Sequence, residues 1–170
     1  MPGINLVKIM DKKAADHLCV VAGRIDAIAD IYKIAKYWFL AKYADGFSCF
    51  AGKEAMERWK MSGKIHRYIA SNGHVMPFPA HAPPKSTDWA GVNQVMSLLQ
   101  QSDVGAMSAI RSTLRQLQTL GFDVEYSFLN DIAKDYQKEV SEIKRHVDHL
   151  TSPPELASMN QNLKEEYQEY

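Results

Sequence analysis

Only two cysteines, Cys19 and Cys49, occur in the 170 residues, and neither sits in a CxxC or Cys/His spacing that would hold a metal. Two thiols in a chain that reads as cytoplasmic are more often free than bridged, and both are read as free structural thiols. Net charge is missing as well: 20 basic and 20 acidic side chains cancel, so no global field recruits nucleic acid or an anionic bilayer. No apolar run reaches the roughly 18 uncharged residues that a membrane helix needs. Met1, Pro2 and Gly3 do not open a charged segment leading into an apolar one. These absences imply a cytoplasmic chain without a membrane or nucleic-acid partner. Strand signals are nearly absent and nothing repeats at a fixed period. No phosphate-cradling glycine loop, Ser/His/Asp order or Cys/His pair stands out.

What the sequence does contain is helical periodicity. Asp11 is a good N-cap, and behind it Leu18, Val21, Ile25, Ile28, Tyr32, Ala35 and Phe39 form one stripe at steps of three and four, predicting a helix over about 12–42. A turn near Asp45 and Gly46 leads to a second stripe, Phe47, Ala51, Glu54, Arg58, Met61, Ile65 and Tyr68, which stops at Asn72 and Gly73. From His74 to Lys85 four prolines forbid a helix and favour extended, polyproline-like backbone. Ser86, Thr87 and Asp88 are capping types for a third helix striped by Val92, Met96, Leu99, Asp103, Ala106, Ile110, Leu114 and Leu117 and ended by Gly121. Asp123 is then expected to cap a fourth, with Leu129, Ile132, Tyr136, Glu139, Ile143, His146 and Leu150 inward until Pro153 and Pro154. Four stripes, two short turns and one long crossover between the second and third helices predict an all-α, antiparallel four-helix bundle over 1–152. Residues 153–170 carry Leu156, Met159, Leu163 and Tyr167 on one side and are otherwise polar, which predicts a short C-terminal helix or tail.

Polar residues interrupt three of the four stripes: Glu54 and Arg58 on the second helix, Asp103 on the third, and Tyr136, Glu139 and His146 on the fourth. Burying an unpaired charge costs several kcal/mol, so these groups must meet one another, meet a metal, or lie at the edge of the buried face. His74 and His81 lie in the proline-rich crossover and are assigned no role, since a metal site fixes three or four ligands. His146 and His149 are expected to answer the dipole at the C-terminal end of the fourth helix.

The arrangement from Asp11 to Leu150 resembles the bacterial non-haem ferritins of the ferritin-like superfamily. The stretch from Tyr37 through Phe50 and Glu54 to Gly73 is similar to the end of the first ferritin helix, its turn and the second helix, and Phe128 to Leu150 is similar to the fourth. Ferritins direct a Glu on the first helix, Glu-x-x-His on the second, a Glu on the third and Gln-x-x-Glu or Glu-x-x-Glu on the fourth at two irons. Carried over by position, the resemblance puts Ile25 at the first ligand, Arg58 and Met61 at the pair, Asp103 at the third-helix acid, and Tyr136 and Glu139 at the last pair. Tyr32 matches the tyrosine beside the centre, Glu54 supports it, and Glu57 falls one step off the inward face.

Ile25 offers no donor atom, Met61 a weak thioether, and Arg58 a permanent positive charge where the cation would lie. The expected arrangement is a guanidinium between Asp103 and Glu139, with Tyr32 or Tyr136 accepting its remaining N–H groups. Asp103 and Glu139 are also the two carboxylates left to hold a single hard cation. The resemblance implies a homo-oligomeric shell of twenty-four subunits with a degenerate ferroxidase centre. It would store iron passively in its lumen, co-assemble with an active ferritin, or act as a plain shell. Two alternatives remain open: an active ferritin oxidising iron at a remodelled site, and an interaction protein with no iron role. The residue after Arg58 is Trp59 and not the haem-holding methionine of the related bacterioferritins, so no haem is expected.

Overall fold

The computed structural model describes residues 9–78, 81, 84, 86–150 and 153–168. Met1, Pro2 and Gly3 lie outside these residues, as do Pro79, Pro83 and Lys85 of the crossover. Five helices follow in order: α1 (Lys12–Ala41), α2 (Asp45–Ser71), α3 (Val92–Thr119), α4 (Asp123–Asp148) and α5 (Pro153–Glu166). No strand occurs among the described residues. The first four form the antiparallel bundle: α1 packs on α2 and α3, α4 packs on α3 and α2, and α5 lies against α2.

The stripes explain the packing. Every member of the α1 stripe, from Leu18 to Phe39, is buried, and Met96, Leu99, Ala106 and Ile110 answer from α3. Fully burying one such aliphatic side chain contributes about 1.5–3 kcal/mol, so the facing stripes are the dominant source of the bundle's stability. The Asp11 carboxylate accepts the Lys13 backbone N–H at 2.8 Å, capping α1 as its sequence position implies. Gly73 at φ +94° and Gly121 at φ +76° close α2 and α3 in a backbone region that glycine enters without a steric penalty.

Two caps fall elsewhere than expected. Helix α3 begins at Val92 with Gly91 as its N-cap, because the Ser86 hydroxyl is taken by the Asp88 N–H in a local turn. Asp123 is the first residue of α4 and not its cap; it contributes a negative charge beside the helix N-terminus. Pro153 and Pro154 open α5, where the missing N–H of proline costs nothing. Both cysteines are free, and burial raises the Cys19 thiol pKa.

Candidate functional site

Each bundle helix sends a polar side chain to one buried point: Tyr32 from α1, Arg58 from α2, Asp103 from α3 and Tyr136 from α4, all 0% exposed. Arg58 sits on the inward face of α2, one turn after Glu54 and one before Met61 and Ser62, because the spacing of three and four keeps these positions on one side of the helix. Its Nε donates to Asp103 Oδ1 at 2.9 Å and its Nη2 to Asp103 Oδ2 at 2.6 Å, a bidentate fork. Nη1 donates to Glu54 Oε2 at 2.6 Å and to the Glu54 carbonyl at 2.9 Å. Nη2 also reaches the Tyr32 hydroxyl oxygen at 3.2 Å. Every N–H of the guanidinium therefore has an acceptor.

Asp103 is equally saturated. Besides the guanidinium it accepts the Tyr32 hydroxyl at 2.6 Å and the Tyr136 hydroxyl at 2.7 Å. The guanidinium carbon stands 4.0 Å from the centre of the Tyr32 ring, adding a cation–π contact. Burial raises both phenol pKa values well above the usual range, with the Asp103 charge in support, so the phenols stay protonated and donate. For Arg58 burial opposes the charge, but Tyr32, Asp103 and Glu54 more than offset it and hold the group cationic.

The acids therefore sort differently from the sequence expectation. Arg58 joins Asp103 to Glu54, and Glu139 belongs to a neighbouring cluster. There the Lys53 ammonium lies 2.7 Å from Glu54 Oε1, 3.0 Å from Glu142 Oε2 and 3.6 Å from Glu139 Oε2. Carboxylate oxygens of Glu54, Glu139 and Glu142 lie within 4.8 Å of one another. Across the two clusters, Arg58 and Lys53 face four carboxylates, those of Asp103, Glu54, Glu139 and Glu142. The excess of acid has a consequence at Glu139: burial first, then the Glu54 charge, raises its pKa to about 7. Its Oε2 is buried without a hydrogen bond.

Of the remaining candidates, Ile25 is fully buried in the apolar core and Met61 nearly so. Glu57 points sideways to Lys60 at 2.9 Å and takes no part, as its position off the inward face implies. Sequence reading missed Lys53 and Glu142. Their signal was present, since Lys53 precedes a buried acid and Glu142 completes a Glu-x-x-Glu with Glu139 on α4, but neither interrupts an apolar stripe. His146 is buried as its place on the inward stripe implies, but burial works against the cationic form expected to answer the helix dipole. It is 8% exposed and packs edge-on against Phe50, and burial lowers its pKa. In the crossover, His81 Nε2 lies 2.6 Å from the Asp30 carboxylate, and His74 Nε2 lies 2.5 Å from the Met10 carbonyl oxygen.

Four packed helices that converge polar side chains on one buried point define a helical-bundle protein of the kind that builds its sites from facing helices. Residues 27–152 match the family model for the ferritin-like domain, and the chain belongs to that family. Among solved structures it is similar to an open pore ferritin from the hyperthermophilic archaeon Archaeoglobus fulgidus, with a TM-score of 0.83 and 16% identity over 91% of this chain and 97% of that one. An engineered closed form of the same ferritin matches with a TM-score of 0.83 and 16% identity, over 91% and 96% of the two chains. No curated protein sequence matches the chain. Among the described residues no helix is long and apolar enough to cross a membrane.

Proposed function

We propose that this protein is a shell-forming ferritin whose intrasubunit di-iron ferroxidase centre is not functional. It would hold iron passively, co-assemble with an active ferritin, or serve as a plain shell. The observation that carries this reading is the Arg58 guanidinium, wholly buried and bound to Asp103 and Glu54. By the resemblance, Arg58 takes the position of a metal-binding acid on the family's second helix, and it is an organic cation with every N–H satisfied. Admitting a ferrous ion there would place like charges together in a low-dielectric interior. The first-helix position, Ile25, and the partner position, Met61, contribute no hard donor for iron. The residues present therefore do not fit a di-iron centre, and no haem is assigned. Asp103 has no oxygen free for a single cation either, because its oxygens already accept from Arg58, Tyr32 and Tyr136.

The likeness to two ferritin structures supports an oligomeric shell of this chain, for which the resemblance implies twenty-four subunits. Stoichiometric ferrous iron added in air tests the reading: we expect no fast rise of ferric absorbance. A prompt rise would favour a second reading, oxidation at a remodelled site, for which the clustered carboxylates of Glu54, Glu139 and Glu142 are the supporting observation. Lys53 already supplies the cation of that cluster, and the second reading ranks lower for this reason. A monomer by light scattering would favour a third, an interaction protein with no iron role.

A further inference from the structure

Helix α3 carries little charge, and what it exposes has one sign. Of its 28 residues only Asp103, Arg111 and Arg115 are charged, and Asp103 is buried against Arg58. Arg111 and Arg115 stand one helical turn apart on the exposed side. Arg111 reaches only a neutral acceptor, the Gln137 side-chain oxygen at 3.1 Å. Arg24 of α1 adds a third exposed guanidinium: its Nη2 rests beside Gly105 of α3, where a Cβ would stand 3.2 Å from it. None of the three meets a carboxylate among the described residues. Helix α4 behaves differently, pairing each of its lysines with an acid three or four residues away: Lys134 with Asp131, Lys138 with Asp135 and Lys144 with Asp148.

Arg115 stands between two grooves. One, of about 490 Å³, runs between α3 and α4, with Val104, Met107 and Val140 as its apolar side and Arg111 beside them. The other, of about 430 Å³, opens toward His17 of α1 and ends at Leu120. Val104 is 54% exposed and Leu120 48%, so the surface joins apolar area to unpaired positive charge. We propose that this face docks an acidic amphipathic helix of a partner protein, whose carboxylates, four residues apart, pair with Arg111 and Arg115 while its apolar side covers Val104, Met107 and Val140.

Charge complementarity selects the occupant. A guanidinium takes a carboxylate with a planar fork and is weakly hydrated, which suits it to a protein interface better than an ammonium. Acids four residues apart on a helix laid in the groove repeat the spacing of the two arginines. No Phe, Tyr or Trp among the described residues lines either groove, so the bases of a single-stranded nucleic acid would find no stacking platform. A second copy of this chain is a poor source of the helix, because its own acid pairs at that spacing are engaged. Asp26 and Asp30 meet His66 and His81, Asp131 and Asp135 meet Lys134 and Lys138, and Glu139 meets Lys53. Helix α5 is held on α2, where the N-cap residue Ala44 has no side chain able to cap. There Asn160 Oδ1 accepts the Gly46 N–H at 2.8 Å and the Phe47 N–H at 3.3 Å, and Glu166 of α5 lies 3.6 Å from Arg145.

A fluorescein-labelled helical peptide of Leu-Ala-Ala-Glu repeats, added to the assembled protein and followed by fluorescence anisotropy, is the probe. Binding that weakens as salt rises is expected, and no binding at all would overturn the proposal. The same peptide with Gln in place of every Glu should bind about tenfold more weakly, as should the acidic peptide to the Arg111→Gln, Arg115→Gln double variant, from the loss of two rim ion pairs. Val104→Glu leaves both arginines in place and should weaken binding through repulsion. Undiminished affinity in any of these three arms would overturn the assignment. Tighter binding of oligothymidylate than of the acidic peptide would give the face to nucleic acid and overturn it as well. By light scattering the double variant should keep the particle size of the unmodified protein. A smaller particle would make this face a contact between copies, contrary to the proposal.

Discussion

At the residue scale the molecule turns on how one guanidinium is buried. A lone charge in this interior would cost far more than the fold could sustain, whereas a bidentate fork on Asp103, a second carboxylate from Glu54 and a tyrosine face make the burial tolerable. Arg58→Met would strand both acids, so the expected loss is about 3–5 kcal/mol in a urea unfolding series. Arg58→Lys should recover little of it, because an ammonium cannot present the planar fork, and full rescue by lysine would refute the geometry. Glu139 makes the opposite prediction. Its pKa is raised to about 7 from an unfolded value of 4.5, so the protonated form favours the fold; that stability is present below pH 4.5 and is lost as pH rises through 7. Glu139→Gln, which cannot ionise, should therefore raise Tm above pH 7 and change it little near pH 4, and an equal effect at both would contradict the shift.

At the scale of elements, the bundle is specified by stripes and the tail by a single close approach. Gly46→Ala is expected to displace α5, since the new methyl would collide with backbone at Asn160. The loss should exceed the roughly 1 kcal/mol of the cap alone, and protease accessibility of 153–167 would report it. The four long helices were legible from the sequence because the pattern Leu18, Val21, Ile25, Ile28 and its counterparts depends only on helical period. The docking of α5 was not. Its anchor, Asn160, reads as one more polar residue in a polar segment, and its effect depends on a backbone 114 positions away. The burial of Arg58, Asp103 and Tyr136 was legible for the same periodic reason. Which acids the guanidinium would choose was legible only in part: the spacing of four puts Glu54 beside Arg58 on one helix face, but whether Glu139 also reaches it depends on the packed bundle. Position on a helix face establishes what is buried, and partner choice among several acids requires the packed bundle.

At the scale of the whole molecule, a ferritin-family bundle holds a network of hydrogen bonds and ion pairs at its centre, and the proposed function rests on that network. Iron handling in such a shell would be left to its surfaces or to a partner subunit, and the interior would serve stability. The most direct measurement is anomalous diffraction at the iron edge from crystals soaked anaerobically in ferrous iron. We predict no iron within bonding distance of Asp103, with the guanidinium still paired to it. Iron bridging Asp103 and Glu139, with Arg58 turned elsewhere, would contradict the account.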